Sequence, residues 1–139
     1  MKKLLRNRVC LCKKNNMYIR KDNMVINMTT LKNNEIEFEF YGDTYRLGLY
    51  KTTYTNNDNL AIVVMDEDSQ EQFTILTVNI MDLPENNMAA IDTNNNADLA
   101  VAVEKAGFYT NTGLPILSGY CAYPLGIFDL DRIPDLPTA

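Results

Sequence analysis

The stretch "EIEFEFYGDTYRLGLY", Glu35 to Tyr50, alternates apolar and polar side chains strictly on both sides of Gly42 and Asp43. A period of two cannot be laid on a helix, whose faces repeat every 3.6 residues, so these residues must form paired strands. Gly42 and Asp43 mark the reversal between them. If glycine takes the first central position of a two-residue turn, Tyr41 faces Thr44. The register then pairs Phe40 with Tyr45, Phe38 with Leu47 and Ile36 with Leu49. Every large apolar side chain falls on one face. Glu35, Glu37 and Glu39 fall on the other, with Glu39 opposite Arg46, a cross-strand pair worth about 0.2–1 kcal/mol. That row reads either as a solvated sheet face or as part of an acidic binding surface.

A second hairpin follows. "LAIVVM", Leu60 to Met65, and "QFTILTV", Gln72 to Val78, flank the acidic turn "DEDSQE". Their continuous apolar character predicts central strands covered on both faces. The turn acids Asp66, Glu67, Asp68 and Glu71 extend the candidate acidic surface. They do not make a calcium loop, because the glycine at the sixth position and the glutamate at the twelfth are missing.

Beyond Val78, "NIMDLPENNMAAIDTNNN" keeps no period and is interrupted by Pro84, which predicts an irregular connection. The asparagines at its end precede "ADLAVAVEKAG", a helical pattern with Leu99, Ala102, Val103 and Ala106 on one face and Gly107 after the last turn. Asn95 or Asn96 is the expected cap. Long connections inside small domains are often functional, so Asn79, Asp92, Asn94 and Asn95 are candidate ligand contacts.

The tail "TGLPILSGYCAYPLGIFDLDRIP" predicts one or two edge strands with turns, since Pro124 cannot donate to a ladder. Tyr120 and Tyr123, with Asp129 and Asp131 of the same tail, are candidate binding residues. Packing is the alternative role for Tyr120, Tyr123 and Phe128.

Three of these segments carry a resemblance: "LTVN" (Leu76 to Asn79), "DTNN" (Asp92 to Asn95), and the ending from Gly119 to Leu130. Together they resemble a small uncharacterised bacterial family met on conjugative elements, plasmids and phages, over about Glu35 to Ile133. The resemblance implies a mobile-element or anti-defence setting and brings no catalytic residues with it.

Charge divides the chain. Residues 1–27 hold eight Lys and Arg against Asp22, a net +7, and residues 28–139 hold five against seventeen acids, a net −12. The leader's apolar runs are too short for a secretory signal, and no stretch is long enough to span a bilayer. The leader reads as disordered or as preceding the true start, with Met17, Met24 and Met28 as internal starts. Its alternative is a basic arm for nucleic acid. Residues 28–139 form one acidic domain, repelled by phosphates and suited to a basic protein surface.

Catalysis is poorly provided for. The chain has no histidine, which removes the commonest general base and most triads and metal sites. No nucleophile elbow, phosphate loop or dinucleotide fingerprint is present. Cys10, Cys12 and Cys121 give no disulfide framework and too few ligands for structural zinc.

The sequence therefore predicts an α+β protein: a mainly antiparallel sheet of about five strands with one helix packed on one face. It is expected to be cytoplasmic and non-enzymatic, with no metal, no cofactor and no membrane contact. The expected role is an inhibitor that occupies the basic groove of a nucleic-acid-binding defence protein, of the anti-restriction or anti-CRISPR type. The alternatives are an accessory protein-interaction module and a small-ligand-binding domain.

Overall fold

A computed structural model describes residues 30–137 and, within the leader, the backbone of residues 11–14, 17–20 and 25–26. Those leader residues are three short strands, β1 (Leu11–Lys14), β2 (Met17–Arg20) and β3 (Val25–Ile26), paired antiparallel in that order. The remainder of the leader, to which the expectation of disorder also applies, lies outside the described residues.

The alternating stretch forms β4 (Glu35–Phe40) and β5 (Asp43–Thr53). Its turn is Tyr41-Gly42, not Gly42-Asp43, with positive φ at both residues, 51° and 81°. Two positive φ values in succession match the strand twist as a type I′ turn does. The pairing is thus Phe40 with Asp43, Phe38 with Tyr45, Ile36 with Leu47 and Glu37 with Arg46. The expected register is corrected by two residues, a shift that leaves every side chain on its predicted face. Ile36, Phe38, Leu47 and Leu49 are buried as expected.

Next come β6 (Leu60–Asp66) and β7 (Glu71–Ile75), which complete a four-stranded antiparallel sheet in the order β4-β5-β6-β7. All of Leu60 to Val64 is buried, as a central strand requires. The expected strand from Gln72 to Val78 does not hold as one piece. Leu76 ends it by donating its N–H to the carbonyl of Ile62, and the chain passes into a second sheet as β8 (Thr77–Val78).

That second sheet has the order β10-β11-β9-β8. The connection expected to be irregular contains β9 (Met88–Ile91), and the tail forms a long hairpin, β10 (Tyr109–Ser118) with β11 (Cys121–Phe128). From residue 30 on, the described chain therefore holds eight strands in two sheets, not about five in one. The α+β class and the antiparallel pairing stand.

Between β9 and β10 runs the single described helix, α1 (Thr93–Lys105). Leu99, Ala100 and Val103 enter one apolar cluster with Leu47, Leu49, Ile62 and Val64 of the first sheet and Ile91, Tyr109 and Phe128 of the second. A short 3-10 turn, Leu130–Arg132, follows β11. It delivers Ile133 to the same core and lays the Arg132 guanidinium 3.9 Å from the Phe108 ring centre, with Nη1 donating to Ala106 O at 2.8 Å. One cation thereby ties the helix C-terminus to the chain's end.

Candidate functional site

The outer face of the first sheet gathers most of the predicted acids. Register places Glu35, Glu37 and Glu39 of β4 beside Arg46 and Gly48 of β5. The β6–β7 turn brings Glu67 and Asp68 over the same face. Glu35 is not a solvated row member: its side chain is 2% exposed and bonds Arg46 Nη1 at 3.1 Å. Its other oxygen accepts from the Lys32 N–H. Arg46 reaches on to Asp68 at 3.2 Å. Burial works against the guanidinium's charge, yet the hydrogen bonds and charges of Asp68 and Glu35 outweigh it, and the Arg46 pKa is raised. Glu67 accepts from the Tyr50 hydroxyl at 2.6 Å. Its carboxylate lies where a Cβ on Gly48 would stand, so glycine is what lets the acid lie flat on the sheet. Burial first, and then that bond to Glu67, raise the Tyr50 pKa.

Five carboxylates thus share one face, and two of them, Glu35 and Asp68, bond its guanidinium. Glu35 and Glu67 form the fixed floor; Glu37, Glu39 and Asp68 are exposed above it. Asp66 and Glu71 pair with each other across β6 and β7, on the opposite, core-side face at the sheet's end. Asp66 also accepts from the Asp68 N–H, closing the turn.

The asparagine candidates are used locally. Asn79 accepts from Asn57 and Asn59 at 3.1 and 2.9 Å and donates to Asn56. Asn59 adds a bond to Met81 O, and Asn57 one to Asp82. This amide zipper holds the β5–β6 loop against the chain after β8, so the side chain of Asn79 is a fastening. A cluster of asparagines in two separate loops was the available signal for it.

At the helix start the expected cap is corrected. Asp92, not Asn95 or Asn96, caps α1, accepting from the Asn95 N–H at 3.2 Å and the Asn95 side chain at 3.0 Å. A carboxylate is the stronger acceptor for a helix N-terminus. Asn94 and Asn95 are exposed in the first turn, and Asn96 leaves helical geometry there (φ −131°, ψ 42°). Gly107 follows the C-cap at φ 87°, as read from the sequence.

In the tail, Tyr120 stands fully exposed at the β10–β11 turn. Tyr123 is half-buried; its hydrogen bond with Cys121, then burial, then the charges of Cys121 and Asp92, raise its pKa. Asp129 caps the 3-10 turn by accepting from the Asp131 N–H, and both are exposed. The predicted residues therefore do not form one site: Glu35, Glu37, Glu39, Glu67 and Asp68 lie on the outer sheet face, Asp66 and Glu71 on the opposite face, Asn79 in the amide zipper, Asp92, Asn94 and Asn95 at the helix start, and Tyr120, Tyr123, Asp129 and Asp131 in the tail, where the charge of Asp92 reaches Tyr123. No group of three or more acids and cysteines able to hold a metal occurs among the described residues. Within those residues, too, no helix is long and apolar enough to cross a membrane.

Residues 48–138 match the family model described as Domain of unknown function (DUF4313), and the chain belongs to that family. The match begins inside β5 and runs to the tail, so it takes in the amide zipper, α1 and the β10–β11 hairpin but not β4. No curated protein and no solved structure was found to match the chain.

Proposed function

We propose that this protein is a non-enzymatic acidic inhibitor carried by a bacterial mobile element, acting in the cytoplasm by occupying the basic nucleic-acid-binding groove of a defence protein. The observation that carries the reading is the outer face of the first sheet, where Glu35 and Asp68 bond Arg46, Glu37 lies across from it, and Glu39 and Glu67 extend the same acidic face. The buried Glu35–Arg46 pair and the Glu67–Tyr50 bond hold this face rigid, so its exposed charges meet a groove with little ordering cost. Catalysis, metal and cofactor have no part in the mechanism. Carboxylates compete with phosphates for the same lysines and arginines.

The test uses Glu37→Gln with Glu39→Gln, both on the exposed strand row, leaving the Glu35–Arg46 floor untouched. Parent protein should capture a nucleic-acid-binding protein from the host, duplex DNA should displace it, and capture should fall steeply between roughly 50 and 200 mM salt. The double variant should capture at least about tenfold less, with an unchanged melting curve. Equal capture by parent and variant at every salt would remove groove occupancy. The second reading, an interaction module built on the tail, is favoured by the exposed apolar side chains of the β10–β11 hairpin.

A further inference from the structure

β5 is longer than the strand that covers its edge. Every second residue of β5 turns its N–H and C=O toward the β4 side, and the pairing with β4 ends at Gly48. Leu49 is served by Asn34, whose carbonyl accepts from the Leu49 N–H at 2.9 Å and whose side chain donates to the Leu49 carbonyl at 3.0 Å. The next residue on that edge is Lys51. There a distant part of the chain takes over. The Lys51 N–H donates to Pro134 O at 2.9 Å, the Leu136 N–H donates to Lys51 O at 2.8 Å, and Asp135 lies beside Lys51 as a parallel partner. The Lys51 side chain grips the same segment, with Nζ donating to Ile133 O at 2.6 Å and pairing with the Asp135 carboxylate at 3.2 Å.

This segment is fastened firmly at one end and lightly at the other. Ile133 is 1% exposed in the core, and Arg132 before it donates to Ala106 O and Asn33 O. From Pro134 to Leu136 the hold is two backbone hydrogen bonds and one ion pair, and the 87% exposure of the Asp135 side chain leaves that pair weak. We infer that this edge of β5 is a strand-addition site, occupied in cis by residues 134–136, whose ligand in trans is an extended segment of another protein with the same chemistry: an apolar residue, a proline, an acid and an apolar residue in succession. The edge asks for a carbonyl before the acid and an N–H after it, so the donor that proline lacks is not missed. The acid meets Lys51. That lysine is one of five basic residues in a body with seventeen acids, so a carboxylate is drawn here and repelled over most of the surface. Residues 134–136 are then a built-in competitor, and the site shows only the share of its affinity that matches the fraction of time they stand open.

The inference is independent of groove occupancy, which uses the outer face of the sheet and not this edge. Native-state hydrogen exchange of the full chain should show the Lys51 amide exchanging at least about tenfold faster than that of Leu47, by local opening. Leu136→Pro removes the donor to Lys51 O and should speed the Lys51 amide by roughly another tenfold with Leu47 unchanged. A synthetic peptide with the sequence of residues 131–139 should bind this variant at least about fivefold more tightly than the parent, whose tethered segment competes at an effective concentration in the millimolar range. The same peptide carrying Leu136→Pro should not bind. Asp135→Lys, at an exposed position and repelled by Lys51, should act in the same direction and repeats the test without altering the backbone. A Lys51 amide that exchanges only with global unfolding overturns the proposal, because the segment is then a permanent strand. So does a peptide that binds none of the three chains at millimolar concentration, or binds parent and variants equally.

Discussion

Along β4 and β5 the inner face is roofed by the core, and β6 lies beside the full second half of β5. The β10–β11 hairpin has a neighbour only at its base, where β9 meets Leu125 to Ile127. Both are antiparallel hairpins closed by two residues, yet the first alternates apolar with charged and the second has no charge at all. The difference follows from what each outer face meets. On the outer side of that sheet Glu35 and Glu67 are held by Arg46 and Tyr50, while Glu37 and Glu39 stay exposed. Leucine, proline and alanine on the β10–β11 face gain nothing from water, and a monomer leaves them there. One hairpin's outer face is fastened by its own side chains; the other's carries Leu117 and Tyr120 exposed.

The largest expected effect breaks the first hairpin. Phe38 is buried, with its ring 5.8 Å from Phe40 and 6.3 Å from Phe73. Phe38→Ala removes that filling from the core side of the sheet and should cost about 3 kcal/mol or more in urea unfolding. A loss under about 1 kcal/mol would mean that the core does not rest on this face.

The faces of β4 and β5 were legible because one side meets core and the other water, and period two records that directly. Their register was not, since a turn on Tyr41 places a tyrosine at positive φ, where glycine is the ordinary choice. The error was two residues, so parity and burial survived it. The break at Leu76 left no trace in the sequence, because an apolar run reads the same whether it stays in one sheet or crosses to another. β9 was hidden for a related reason: Ala89 and Ala90 are buried small residues with no visible alternation. They lie opposite Gly126 and Leu125, and a Cβ on Gly126 would come within 2.9 Å of Tyr109. For the candidate site, the acids were legible as a row, but the burial of Glu35 was not, because Arg46 reaches it only through the three-dimensional arrangement of β4 and β5.

A smaller effect tests the joint between the two regions. Asp92 is buried at the end of β9 and bonds Asn95 twice, fixing where the helix leaves the second sheet. Asp92→Ala should lower stability by about 1 kcal/mol, as loss of an N-cap does. Asp92→Asn should recover most of it, since the amide oxygen still accepts the Asn95 N–H. If the asparagine variant falls as far as the alanine, the carboxylate's charge and not its capping geometry holds the joint.

The smallest expected effect concerns the β10–β11 hairpin alone. Leu117→Ser on monomeric protein, at a concentration of a few micromolar, should change unfolding free energy by less than about 0.5 kcal/mol, because a side chain already in water has little burial to lose. Phe38 and Leu117 are both large apolar residues on hairpin strands, so a ratio of six or more between their effects would express the contrast between a roofed face and an open one. A loss of about 2 kcal/mol at Leu117 would place that side chain under cover within the monomer. Indifference to the change leaves the hairpin's outward face open, as the 72% exposure of Leu117 describes it.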